Sequence, residues 1–266
     1  GNAGFTEIAL SGAARPERFA EKQLAKLWPT PAPLWDAYMW PASAEIDNAA
    51  LAVNPQKVIN ISSKMKEDGT LEWEVPPGEW IIQRIGMTPT GQKNAPASVE
   101  ATGLEVDKMN REWVASHFDA YIGKIINRLP ENDRTALKHI VADSYETGAQ
   151  NWTDNLATDF QKRYGYDPLP YLPVIFGRLV GNAGLSDRFL WDLRRLIADR
   201  ISYQYVGALR EKSNEYGLKL WLENYGHWGY PGEFLQYGGQ SDEISGEFWT
   251  GDEPEGLELR AASSAA

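Results

Sequence analysis

Residues Leu218–Trp249 read LKLWLENYGHWGYPGEFLQYGGQSDEISGEFW, and the fold turns on how this stretch is read. The short apolar run Leu218–Leu222 is of the kind shown by a parallel strand buried on both faces. Glu223 and Asn224 stand at its end. A loop rich in glycine and aromatic residues follows, holding His227, Trp228, Tyr230 and Glu233, and a second short run leads into Gly246, Glu247, Phe248 and Trp249. Carboxylates at strand ends beside flat rings suit a sugar-cleaving pocket, because acids handle the glycosidic oxygen or a water and rings cover the sugar faces. The same pattern also suits two strands closed by salt-bridged acids, and both readings stand on this stretch alone.

Upstream, from Asp107, helices and strands alternate. Trp113, Val114, Phe118, Tyr121, Ile122, Ile125, Ile126 and Leu129 form one apolar stripe at helical spacing, which Pro130 stops. Leu137–Ala142 is a short apolar run ending in Asp143, Ser144, Tyr145 and Glu146. A helix over Asp154–Tyr164 is stopped by Gly165. Ser186 is expected to cap a long helix whose stripe runs through Phe189, Leu190, Leu193, Ile197, Ile201, Tyr205 and Leu209 and which Gly217 closes. Such alternation means a parallel sheet with helices outside it. No glycine-rich phosphate fingerprint follows any strand, and acids gather at strand ends instead, at Asp143/Glu146, Glu223 and Glu247. The fold class expected is therefore α/β, a partial (β/α) TIM-type barrel over residues 101–266. About three convincing strands follow residue 130, where a closed barrel takes about eight. The C-terminal LELRAASSAA also reads as a helix broken off mid-course, so a truncated barrel is expected.

Residues 1–50 read as an irregular, partly helical lead-in. Pro16 opens a short helix through Phe19, Leu24 and Leu27 that ends at Pro29, and Trp28, Trp35 and Trp40 read as packing residues. Residues 51–100 read as an antiparallel β insertion: KVINISSKM alternates apolar and polar residues, Asp68-Gly69 turns into LEWEV, and Pro76-Pro77-Gly78 turns into EWIIQRIGM. TPTGQKNAPASVEATG is a long loop in which Lys93 and Asn94 either line a site or are solvated.

The chain has 266 residues, a formal net charge of −11 and no cysteine. The charge argues against nucleic acid, since no basic stripe faces phosphates. The lack of cysteine excludes disulfides and thiolate metal sites. No apolar run approaches the roughly 20 residues needed to span a bilayer, so no membrane partner is expected.

Within DSYETGAQNW, Glu146 follows the strand end by a few residues, among Tyr145 and Trp152. A glycosidase needs one carboxyl held protonated, and such surroundings suit it. The alternative is an acid that caps the next helix. Glu223 and Glu247 compete for the partner role, or serve as oxygen ligands to a hard cation. His227 beside Trp228 suits a sugar hydroxyl or a structural role. His117 and His139 lack metal-ligand spacing and read as structural.

The runs SGAARPERFAEKQL, PPGEWIIQRIGMTPTGQKNAPA, ATGLEVDKM, ADSYETGAQNWT, RYGYDPLPYLP, SDRFLWDLRR, WLENYGH and GEFW occur in that order. Together they resemble the central part of glycoside hydrolase family 106, α-L-rhamnosidases acting on plant polysaccharides and related glycosides. The likeness runs from about Leu10 to Ala266. It implies an exported parent enzyme, secreted or periplasmic, with several domains, a (β/α)-barrel core, calcium as cofactor, a carbohydrate substrate and inversion at the anomeric carbon. Carried over residue by residue, Glu146 matches the family's general acid, and Glu247 matches a second active-site acid that contacts substrate or cation. Glu223 is the third catalytic candidate. Asp143, Asn151, Trp152, Asn224, His227 and Trp249 are expected to line the sugar pocket. The resemblance puts the water-activating base on a strand past Ala266. Two alternatives stay open: a carbohydrate-binding protein without turnover, and a barrel glycosidase for another sugar.

Overall fold

Three short parallel strands lie side by side in the order β1 (His139–Ala142), β2 (Lys219–Glu223) and β3 (Glu243–Ser245). They belong to a computed structural model that describes residues 12–23, 41–143, 145, 148–224, 232–246 and 256–266. β2 is the middle strand, and its Leu220 and Leu222 are fully buried. Its register sets Ala142 of β1 beside Leu222 and Leu222 beside Ile244 of β3, so all three strands finish at one edge.

Helices supply the parallel crossovers that such strands need. Between β1 and β2 run α4 (Leu156–Tyr164), stopped as expected by Gly165 at φ 77°, and a long rod. The rod consists of α5 (Ala183–Arg200), a π-helical turn at Ile201–Val206, and α6 (Gly207–Glu215). Gly217 adopts φ 71°, which brings the Leu218 N–H back onto the Ser213 carbonyl at 3.0 Å and hands the chain directly to β2. One side of the rod buries Leu190, Leu193, Ile197, Ile201 and Val206 against Ala142, Leu220 and Leu222. That apolar seam is the core.

The cap of α5 differs from the sequence expectation. Asn182 is the cap, its Oδ1 accepting the Leu185 N–H at 2.7 Å. Ser186 lies one turn inside, fully buried, with its hydroxyl donating to the Asn182 and Val180 carbonyls. Both residue types cap helices well, and the burial of Ser186 decides between them. The described part of the lead-in docks here. Lys22 at the end of α1 (Phe19–Lys22) pairs with Asp187 at 2.7 Å, and Glu45 accepts the Gly184 N–H at 3.1 Å, a carboxylate at the positive end of a helix. Leu24, Leu27, Trp28, Pro29, Trp35 and Trp40 lie outside the described residues.

The helix stripe after Asp107 is also narrower than expected. α2 (Arg111–Phe118) and α3 (Lys124–Arg128) are joined by a π turn at Asp119–Gly123. Val114, Phe118 and Ile126 are buried, while Trp113, Tyr121 and Ile125 are exposed. A π turn takes more residues per turn than an α turn, so Tyr121 within it and Ile125 beyond it rotate off the face that a 3.6 spacing assigns them, while Trp113, ahead of the turn, lies beside the Val114–Phe118 face and not on it.

The three parallel strands with helices between them agree with the expectation of about three strands after residue 130, and among the described residues they form an open sheet with β1 at an edge, Val141 65% exposed. One expectation of architecture needs correction: the antiparallel insertion is not seen. Between residues 51 and 104 the chain makes turns and two isolated antiparallel bridges, Met65–Leu71 and Lys93–Leu104, without a ladder. The apolar residues of EWIIQRIGM stay in solvent, Ile81 at 81% exposure and Ile82 at 56%. Strand pairing needs an apolar face buried against another layer, and no described layer covers this one. The local turn signals do hold: Gly69 turns at φ 82°, and the Asn94 side chain closes the long loop by bonding the Gly103 N–H and the Ala101 carbonyl.

Candidate active site at the strand ends

Parallel register alone gathers the first site residues. Asp143 follows the last residue of β1, Glu223 ends β2, and Asn224 continues from it with its N–H on the Ser245 carbonyl at 2.8 Å. The acids therefore reach one rim because the strands run the same way and stop together.

Three tyrosines close the space behind that rim. Tyr145 is buried two residues beyond Asp143 and meets the Tyr205 ring edge-on at 6.4 Å. Tyr205 comes from the π turn between α5 and α6, and Lys108 sits over its ring at 5.3 Å while pairing with Glu105. Tyr237 comes from α7 (Phe234–Gly238) and is also buried. Burial pushes the Tyr237 and Tyr205 hydroxyls well above the ordinary tyrosine range. The nearby acids add to it, Glu105 and Asp143 on Tyr205, Glu223 and Asp143 on Tyr237. Both phenols thus stay protonated at any working pH and act as hydrogen-bond donors, not bases.

Asn224 is 0% exposed, yet neither its amide nitrogen nor its amide oxygen has a hydrogen-bond partner among the described residues, and the same is true of the Tyr237 hydroxyl. An unmade buried hydrogen bond costs about 1–3 kcal/mol, so such groups stand out where a ligand or water is to be received. Gly238 lets α7 close on Asn224. A Cβ there would stand 2.5 Å from Ile244 Cδ1, 2.9 Å from Asn224 Nδ2 and 3.0 Å from the Ala265 methyl on α8 (Gly256–Ala265). Gly238→Ala is expected to lower stability by about 1–3 kcal/mol through overpacking. A urea midpoint equal to that of the unmodified protein would show that α7 does not pack on the strand end.

The loop after β1 is fixed from several sides. Asp107 accepts hydrogen bonds from Gln150 and, at 2.5 Å, from the Thr153 hydroxyl. Of the pocket residues expected from sequence, Asp143, Glu223 and Asn224 come together. Asn151 donates its amide to Gln23 at 3.0 Å, and Trp152 packs against the hydrophobic core, so these two face other partners. Glu146, His227, Glu247 and Trp249 lie outside the described residues. Sequence reasoning misses Tyr205, Tyr237, Asp107 and Lys108 as members of the site. Tyr205 falls on the core-facing stripe of the rod, and Asp107 marks only a change of pattern; for Tyr237 and Lys108 no local signal exists.

Among the described residues no three His, Asp or Glu side chains converge as ligands for a metal ion. Two surface clefts lie elsewhere. One, about 330 Å³, is lined by Asp159, Arg163, Asp199 and Arg200; the other sits by Lys138 and Leu218, where the strands begin. Their linings include none of the strand-end acids. No helix among the described residues is long and apolar enough to cross a membrane.

Comparison with known proteins finds a family, a curated relative and solved structures that match. The sequence model of glycoside hydrolase family 106, described as alpha-L-rhamnosidase, matches residues 4–266. A Formosa agariphila protein provisionally named a beta-glucuronidase is 39% identical over 202 residues, which is 76% of this chain and 17% of that protein. The solved structure of a rhamnosidase from Novosphingobium sp. PP1Y superposes with a TM-score of 0.75 at 27% identity, over 97% of this chain and 25% of that one. The chain thus spans a quarter or less of the length of these relatives.

Proposed function

Since the chain belongs to glycoside hydrolase family 106, the alpha-L-rhamnosidases, we propose that it carries the acid side of an inverting active site that removes terminal rhamnose from plant polysaccharides or glycosides. The observation that carries this reading is the shared rim, where Asp143, Glu223 and Asn224 meet above buried tyrosines. Glu146 is the general acid. It gives its proton to the glycosidic oxygen as the bond to the anomeric carbon breaks, while a carboxylate on the opposite face takes a proton from the attacking water. In inverting enzymes the two carboxyl groups stand about 6.5–9.5 Å apart, which leaves room for that water. The family resemblance sets the base past Ala266. Glu223 and Glu247 are then acids of the sugar pocket, with Asn224 offering an amide to a sugar hydroxyl.

The names of the relatives divide between a neutral sugar and an acidic one. A uronate would bring its carboxylate to a rim that already holds Asp143 and Glu223, and Lys108, the buried cation beside Tyr205, is already paired with Glu105. Like charges at close range in a low-dielectric site are costly. Rhamnose carries a methyl group where glucuronate carries that charge, and tyrosine rings accept a methyl readily. On a panel of p-nitrophenyl glycosides, and in a protein that reaches past Ala266 to include the base, release is expected from α-L-rhamnoside and not from β-D-glucuronide. The reverse pattern would overturn the proposal. The unsatisfied Asn224 amide also suits a protein that binds sugar without cleaving it, and calorimetric binding of rhamnose with no nitrophenol release would favour that reading.

A further inference from the structure

The run ATGLEVDKM, residues 101–109, lies within the span that the family model matches. We propose that Asp107 is the positioning residue of the general acid, pinning the loop that carries Glu146. This rests on the reading of Glu146 given under Proposed function.

Asp107 lies 43 residues before Gln150 and 46 before Thr153, yet its carboxylate binds both. Oδ1 accepts from the Gln150 amide and from the Met109 N–H at 2.9 Å; Oδ2 accepts from the Thr153 hydroxyl at 2.5 Å. Met109 and Thr153 are buried, so the grip is anchored in the core on both sides. The Met109 carbonyl in turn accepts from Arg200 of α5 at 2.8 Å. Across the loop, the Gln150 Oε1 faces the Tyr145 hydroxyl at 3.5 Å, the same distance at which that hydroxyl meets the Gly148 carbonyl. Glu146 follows Tyr145 in the sequence and precedes Gly148, so the chain is held on either side of it.

Bonds to an ionised carboxylate are about twice as strong as neutral ones. A single Asp serves three donors here; asparagine can keep its Oδ1 on Met109 and Gln150 and turn its amide to the Thr153 oxygen, but the charge that strengthens these bonds is gone and the Thr153 bond is reversed. Proton delivery depends steeply on placement, and a misplacement of about 1 Å can cost on the order of 10²-fold. A loosened loop therefore loses proton delivery before it loses sugar binding.

The test is a leaving-group comparison in the intact protein. Asp107→Asn is expected to lower kcat on methyl α-L-rhamnoside by about tenfold or more with KM within about twofold, part of the roughly 10²–10⁴ that general acid catalysis supplies. On 2,4-dinitrophenyl α-L-rhamnoside, whose leaving group departs unprotonated, the loss is expected to stay within about twofold. Thr153→Ala should lose in the same direction and Thr153→Ser should restore it. If Asp107→Asn does not fold, the two Thr153 variants decide the question. Equal losses on the two substrates, or none, would mean that Asp107 only supports the fold, and the proposal falls. Glu146→Gln is run beside them. Should it keep full activity on the methyl glycoside while Asp107→Asn loses it, the acid assignment fails and the positioning role fails with it. If the protein extended past Ala266 to include its base hydrolyses neither rhamnoside, the underlying reading is overturned and this one with it.

Discussion

Glu146→Gln is expected to lower kcat/KM on rhamnosides with alkyl or sugar leaving groups by about 10²–10⁴, the contribution of a well-placed general acid. Glutamine keeps the shape of the side chain and its hydrogen-bonding reach, but it has no proton to deliver. The loss should therefore scale with the need of the leaving group: an alkoxide requires protonation as it departs, whereas dinitrophenolate does not. The pH profile supplies an independent reading. The alkaline limb of kcat/KM reports the acid losing its proton, and it should flatten in the variant. Steady-state rates on the two leaving groups across pH decide the matter. A uniform loss on both substrates with the alkaline limb intact would remove Glu146 from the acid role, leaving Asp143 and Glu223 as the carboxyl groups to examine at the described rim.

Phe160→Ala is expected to cost about 3–5 kcal/mol of stability, the range for deleting a buried aromatic side chain. Phe160 is 1% exposed and is the hub of a ring cluster. Its centroid lies 4.8 Å from Tyr164, 5.0 Å from Tyr166 and 5.6 Å from Phe189 of α5. Tyr171 extends the cluster, stacked on Phe189 at 5.7 Å. These rings join α4 to the long rod, and the hydroxyl of Tyr166 is held by Asp192 at 2.9 Å, so the cavity left by alanine cannot readily collapse. Urea unfolding should show a lower midpoint with an unchanged slope. A change below about 1 kcal/mol, the size of an ordinary surface substitution or little more, would show that the cluster is not the hinge of this core. α4 begins three residues after Thr153, so the same cavity would also loosen the anchor of the loop after β1.

Much of the candidate site was legible because it depends on short-range pattern. The run Leu218–Leu222 is apolar enough to be a strand, and it forms one with Leu220 and Leu222 buried and Lys219 exposed; Glu223 ends it, and Asp143 follows its neighbour β1. Parallel pairing then brings strand-end acids together without further information. The stop at Gly165 and the closure at Gly217 were equally readable, since both need a left-handed backbone that glycine adopts at little cost. The β insertion shows the limit. Alternation in KVINISSKM and the Asp68-Gly69 turn state a local preference for extended chain closed by a turn; the turn forms, but the run is broken by a 3-10 turn at Ser62–Lys64. A ladder needs a second layer to bury its apolar side, and that is not a local property.

The helix stripes fail for a related reason. Spacing assigns Tyr121 and Ile125 to the face of Phe118, but the π turn at Asp119–Gly123 rotates them into solvent. A second π turn presents Tyr205 to the strand ends, where Tyr145 and Lys108 meet it. The amino-acid order by itself determined the alternation of strands and helices after residue 130, the direction of the strands and the family, because these follow from residue shape, backbone preference and the linear run of motifs. Only the tertiary structure decided which apolar residues are covered, that Asp107 reaches across to Gln150 and Thr153, and that the Asn224 amide is buried without a partner among the described residues. Those outcomes depend on distances between segments far apart in the chain, and such distances are set by how whole elements pack.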